Sequence, residues 1–229
     1  MLENLKKELE RLGNKKQAEI LQGFFKTGKG QYGNGDIFMG IKVPIQRKVA
    51  KKYLEMELKH LQKLLNSKIH EYRLIALFIL IDLYKKAKNK KEIFDFYLQN
   101  TKNINNWDLV DLSAPNIVGD YLLDRSRRVL YKLARSKHLW EKRIAILATY
   151  AFIKKGEFED TLKIAEILLK DKHDLIHKSV GWMLREVGKR SQKTEEKFLK
   201  KFYKEMPRTM LRYSIERFSE EKRKYYMKK

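Results

Sequence analysis

A chain of 229 residues with 43% hydrophobic and 11% aromatic side chains buries a substantial core and is not a disordered polymer. Lys and Arg number 52 against 29 Asp and Glu, a formal charge of +23, so an anionic partner is expected, nucleic acid first and anionic membrane second. The lack of cysteine excludes disulfides, thiol nucleophiles and thiolate metal sites, and no apolar run approaches the ~18 residues of a membrane span.

The start, MLENLKKELERLG, reads as an amphipathic helix carrying acids rather than as a signal or transit peptide, so a soluble cytoplasmic protein is expected. Almost every later segment also reads as helix, with three prolines and no convincing period-2 strand. Residues 2–12 and 15–26 form a first helical pair. The loop KTGKGQYGNGD (26–36) is glycine-rich, but it lacks a Gly-Lys-Ser/Thr ending and no strand precedes it, so it is not a phosphate loop of that type. A flexible loop near DNA or a partner remains open. Helices then run over 45–55, 57–66, 69–86, 91–101, 106–122, 125–136, 140–155, 158–170, 174–190, 194–205 and 208–226, the last being one helix or two. Pro115 predicts a break or kink near Ala114 and a fresh helical start.

The segments SKIHEYRLIALFIL, SKHLWEKRIAILATY and DKHDLIHKSVGWML align on their apolar cores, and Arg73, Asp108, Arg143 and Lys178 recur every 35 residues. That spacing is one helix–turn–helix unit. The expected fold is all-α: an α-solenoid of degenerate HEAT-like pairs with a concave basic face, forming one domain over 1–229. An array with polar end caps is expected to stay monomeric.

Trp107 and Asp111 stand four apart in NINNWDLVDLSAPNIVGDYLL, so they share a helix face, opposite Leu109 and Leu112. A packing tryptophan and a solvated acid would give the same pattern. In 174–190, Ile176, Val180, Met183, Leu184 and Val187 form the apolar stripe, and Trp182 falls opposite it beside Lys178, Arg185 and Lys189. A tryptophan set among cations calls for a ligand, the alternative being contact with the next repeat. Arg143 heads a helix that is apolar nearly all round, near an N-terminus that favours an anion; a phosphate suits it, and Glu141 is close enough to pair with it instead. Arg128, Lys132 and Arg135 form an outward stripe over Val129, Leu130 and Leu133, fit for a phosphate backbone or simply solvated. A basic tail runs from Lys189 through Lys229. The five histidines show no metal-ligand spacing with carboxylates; His60, His70, His138, His173 and His177 read as loop or surface residues, and no metal or cofactor is expected.

INNWDLVDLSAP, LWEKRIAIL and SVGWMLREVGK, in that order, closely resemble the DNA alkylation repair proteins, the HEAT-like-repeat DNA glycosylases of the AlkD type; FFKTGKGQYGNGDIFMGIKVP is similar to their N-terminal part. The resemblance covers most of the chain. It implies removal of cationic N3- or N7-alkylated purines, chiefly 3-methyladenine and 7-methylguanine, from double-stranded DNA. It also implies Asp111 as catalytic carboxylate, Trp107 and Trp182 as flanking indoles and Arg143 as the DNA-contacting arginine, with Arg128 and Lys142 competing for that last role. Phe25 and Tyr32 are both candidates for an N-terminal aromatic near the lesion, which such enzymes are understood to leave stacked. The residue types suit the chemistry. A cationic base leaves as a neutral molecule without an acid, and a carboxylate stabilises the oxocarbenium sugar and orients water. Indole faces attract both cations. The alternatives are a non-catalytic HEAT-like scaffold gripping DNA or RNA, and a solenoid whose basic surface meets an acidic protein.

Overall fold

The computed structural model describes residues 1–228; Lys229, the end of the expected basic tail, lies outside them. All regular elements are helical, and among the described residues the β pairing is confined to an isolated parallel bridge between Ile37 and Ile69. The expected all-α class is what forms. Contacts divide the chain into two compact units, Met1–Leu109 and Val110–Lys229.

In the first unit, α1 (Leu2–Leu12) buries Leu2, Leu5 and Leu9 on one stripe, as its periodicity dictates. The Asn14 side chain accepts from the Gln17 amide at 2.9 Å and caps α2 (Lys15–Phe24). Then come α3 (Val43–Ala50), α4 (Leu58–Leu65), α5 (His70–Lys86) and α6 (Lys90–Gln99). The run LIALFILI leaves α5 no polar face, so it is buried around its circumference and packs on α3, α4 and α6. The glycine-rich segment is tied to the start of α5. The Ile37 amide donates to the Lys68 carbonyl at 3.0 Å and the His70 amide to the Ile37 carbonyl at 2.9 Å. The buried Glu71 carboxylate accepts from the amides of Met39, Gly40 and Ile41 at 2.9, 2.8 and 3.3 Å. Gly40 has φ +81, and a Cβ there would lie 2.1 Å from the Asn14 carbonyl oxygen, so no larger residue fits.

Helix α7 (Trp107–Ala114) contains the division between the units and runs into a π-helical turn, Pro115–Gly119. The expected break is instead a change of winding. Ala114 keeps helical angles (φ −58, ψ −46), and the missing proline N–H is accommodated by a wider turn. The Asn116 side-chain amide donates to the Leu112 carbonyl at 2.7 Å.

The second unit continues with α8 (Arg128–Ala134), α9 (Leu139–Ala148), α10 (Tyr150–Lys154), α11 (Glu159–Ile167), α12 (Asp174–Gly188), α13 (Gln192–Phe202), α14 (Arg208–Ser214), a 3-10 turn (Ile215–Arg217) and α15 (Glu220–Met227). The helix expected over 140–155 is interrupted at Thr149, whose hydroxyl bonds back to the Ile146 carbonyl at 2.7 Å. The expected stripe of α12 is fully buried at Ile176, Val180, Met183, Leu184 and Val187. The four positions of the 35-residue period, Arg73, Asp108, Arg143 and Lys178, each fall near the N-terminal end of α5, α7, α9 and α12 respectively.

Gly181 lets α12 meet α14 at backbone distance: a Cβ there would lie 2.5 Å from the Met210 carbonyl oxygen and 2.6 Å from the Tyr213 Cβ. Gly181→Ala forces the helices apart and is expected to destabilise the protein by about 1–3 kcal/mol, read from the denaturant midpoint at unchanged slope.

Candidate active site

In the second unit, α9 carries Arg143 into an apolar environment where a guanidinium needs a counter-charge. Arg143 is 5% exposed and forms a fork on Asp111, Nε to Oδ1 at 2.8 Å and Nη2 to Oδ2 at 2.8 Å, while Nη1 donates to the Leu175 carbonyl at 2.6 Å. Its partner here is therefore a protein carboxylate. A buried arginine without a partner costs several kcal/mol, and the bidentate pair removes most of that penalty. The Asp111 side chain is the more open member, 19% exposed against 6% for that of Arg143. Each oxygen accepts one arginine N–H. Lys142, the competing cation, pairs with Asp171.

Trp182 projects from the polar side of α12, half-buried, its Nε1 donating to Glu186 Oε1 at 3.3 Å and its ring tilted 39° to that of Tyr150 at 6.4 Å. Glu186 went unnoticed in the sequence. It is buried and takes Lys189 Nζ at 2.6 Å and Arg190 Nη1 at 3.2 Å. Burial alone would raise its carboxyl, but these hydrogen bonds outweigh burial and hold it below the usual range. Its place four residues after Trp182 and three before Lys189 was a readable signal. The other cations on this face are paired too, Lys178 with Asp174 at 2.8 Å and Arg185 with Glu216. On α8 the expected stripe is different: Arg128 and Lys132 are exposed with no ion pair among the described residues, and Arg135, also exposed, donates to the Tyr131 carbonyl at 3.1 Å.

In the first unit, Trp107 is half-buried. It stacks on Phe25 at 5.2 Å and 15° and meets the edge of Phe24 at 5.9 Å. Of the two expected aromatics, Phe25 is 7% exposed and sandwiched further by Phe38, and the Tyr32 hydroxyl donates to the Phe24 carbonyl at 3.5 Å. The exposed ring beside Trp107 is Phe24, at 62%. His70 is not a loop or surface residue, as its sequence context implied. It is 1% exposed, with Nδ1 3.2 Å from Asp36 and Nε2 2.8 Å from Asp108, the residue after Trp107. Burial disfavours charge on His70, but the pull of Asp108 and hydrogen bonds donated by the ring to Asp108 and Asp36 prevail, raising its pKa to about 9 despite the opposing Arg73. His173 caps α12 by accepting from the Leu175 amide at 3.1 Å, and His177 Nε2 lies 2.5 Å from the Asp171 carbonyl oxygen. Among the described residues no cluster of three or more His, Cys, Asp or Glu side chains could hold a metal ion, and no helix is long and apolar enough to cross a membrane.

The sequence model of a family described as DNA alkylation repair enzyme matches residues 5–218. A solved structure described as a predicted DNA alkylation repair enzyme from Enterococcus faecalis superimposes with a TM-score of 0.72 over 91% of this chain and 97% of that one, at 16% identity. At that identity the likeness shows the fold, the all-α helical-repeat class expected of an α-solenoid. No match is found among curated proteins.

The raised His70 value fixes the sign of a pH effect. Its folded pKa, about 9, exceeds the ordinary 6.5, so its contribution is complete below 6.5 and is lost as pH rises toward 9. That contribution is of order 3 kcal/mol at most. Chemical unfolding between pH 6 and 9.5 is expected to show this decline in the native protein and a flatter profile in His70→Gln.

Proposed function

Because the chain belongs to the DNA alkylation repair enzyme family, which supports a role in the repair of alkylated DNA, we propose that it is a monofunctional DNA glycosylase releasing cationic N3- and N7-alkylpurines from duplex DNA. The observation that carries this reading is Asp111, a carboxylate gripped through both oxygens by a buried guanidinium yet still partly open to solvent.

The chemistry follows from what each group can do. The alkylated purine departs with the glycosidic electron pair as a neutral base, so no general acid is required. Asp111 faces the cationic deoxyribose that remains and, through its solvent-exposed side, accepts a hydrogen bond from the attacking water, whose proton passes to solvent. The Arg143 fork fixes its direction, so little reorganisation is needed when charge develops. The part of the carboxylate is orientation and charge stabilisation. Trp182, in the same unit as Asp111, offers an indole face to a cation, worth about 0.5–2 kcal/mol; in the first unit Trp107 offers a second such face, and Phe24 extends the aromatic surface beside it. Arg128, Lys132 and Arg135 hold phosphates without reading sequence. Lys178, Arg185 and Lys189, each held by an acid, serve the strand less directly.

Asp111→Asn keeps the shape but loses the charge and half of the Arg143 fork. Release of 7-methylguanine from methylated duplex, followed by chromatography of the liberated bases, is expected to fall at least about 100-fold with duplex binding retained. Equal release by the variant removes Asp111 from the mechanism. No release by the native protein, with alkylated and undamaged duplexes bound alike, supports the non-catalytic scaffold instead.

A further inference from the structure

Arg73 belongs to the same 35-residue series as Arg143, yet it takes no part in the reaction proposed above. It is 3% exposed; Nη1 donates to the Ser67 carbonyl at 2.7 Å and Nη2 lies 2.6 Å from Asp36 Oδ2, while Nε is buried without a partner. The side chain forms part of the wall of a cavity of about 260 Å³ inside the first unit. Around it stand Lys68, Lys102, Asn66, Asn103 and Asn105, from the segments leading into α5 and α7.

The lining is polar apart from Leu65 and Gly35, and it holds no aromatic ring, so a nucleobase has nothing to stack on. Its one acid, Asp36, is already engaged by His70 and Arg73. Lys68 and Lys102 are exposed at the mouth and form no ion pair among the described residues. The Asn66 carbonyl oxygen accepts from Gln62 at 2.7 Å and Asn103 at 3.0 Å, which leaves its amide NH2 as a donor. Asn105, in the same lining, has its Oδ1 buried and unpartnered. A guanidinium with an idle N–H in the wall, two ammonium groups without an acid among the described residues and side-chain amides around one small polar cavity match a tetrahedral oxyanion. We propose that this cavity is a phosphate-binding subsite, occupied by one backbone phosphate of a bound nucleic acid strand. A free phosphate shares the chemistry and is the other source. The strand assignment rests on the duplex-binding reading above; the oxyanion assignment does not.

Two measurements on the full chain test it. Duplex affinity is followed against salt for the native protein, for Lys68→Ala with Lys102→Ala, and for Lys86→Ala with Lys88→Ala, which removes equal charge near the other end of α5. Thermal unfolding is followed with inorganic phosphate against chloride at matched ionic strength. The Lys68/Lys102 pair is expected to lose about 5- to 10-fold in affinity at low salt, with a log–log slope shallower by about 1. The control pair keeps the native slope. Inorganic phosphate is expected to raise the midpoint of the native protein and not that of the Lys68/Lys102 variant. Protection by inorganic phosphate with an unchanged duplex slope keeps the oxyanion site and overturns the strand as its source. Equal slopes together with equal midpoints overturn the site. If the native protein binds no duplex, the functional reading fails, and the phosphate arm still decides the cavity.

Discussion

A guanidinium taken out of water dictates what surrounds it. Arg73 and Arg143 enter their units near the starts of α5 and α9, helices whose remaining residues are almost wholly apolar. Neither can stay there unpaired, so a carboxylate must be brought to each from elsewhere in the chain. In the second unit that carboxylate is Asp111, and the demand of Arg143 fixes both of its oxygens. In the first unit it is Asp36, delivered by the segment between α2 and α3 and shared with His70. The same constraint thus produces an oriented carboxylate in one unit and a buried four-member ionic network in the other. That network includes Asp108, so it also pins the first turn of α7 beside Trp107.

What could be read in the sequence follows from which forces are local. Helices, their apolar stripes and the 35-residue period are written in neighbours a few positions apart, and the α12 stripe at Ile176, Val180, Met183, Leu184 and Val187 is buried as its spacing requires. The resemblance alone nominates the side chains proposed to carry chemistry, and what surrounds them is not written near them in the sequence. His70 looked like an isolated histidine because its partners, Asp36 and Asp108, lie 34 and 38 residues away. Arg143 looked ready for a phosphate because Asp111 is 32 residues back. Phe24 passed unnoticed since it sits next to Phe25, and one sequence position decides which ring is buried and which is exposed. Glu186 is the contrasting case: its spacing to Trp182 and Lys189 placed it on their face, and the signal was overlooked.

Proline and threonine set the remaining differences. Pro115 does not end its helix because its missing N–H is absorbed by a π-helical turn, with the Asn116 side chain supplying a hydrogen bond to Leu112. That turn keeps Gly119 against the backbone of α9, where a Cβ would lie 2.2 Å from the Ala148 carbonyl oxygen. The helix bearing Asp111 and the helix bearing Arg143 are thereby packed at close range, which is the condition for their short hydrogen bonds.

The charge excess gains meaning only once its pairing is known. If each of the 29 acids took one cation, 23 of the 52 would still have none. Around Trp182 the cations have acids within reach, so their field is largely cancelled locally and their part is to fix side chains. Arg128 and Lys132 on α8, and Lys68 and Lys102 beside Arg73, stand without one among the described residues. Uncompensated charge of this kind acts at a distance and responds to salt, whereas paired charge does neither to the same degree. On the proposed function, attraction of a polyanion falls to the residues that the protein leaves unpaired, and the orientation of reactive groups to those it pairs.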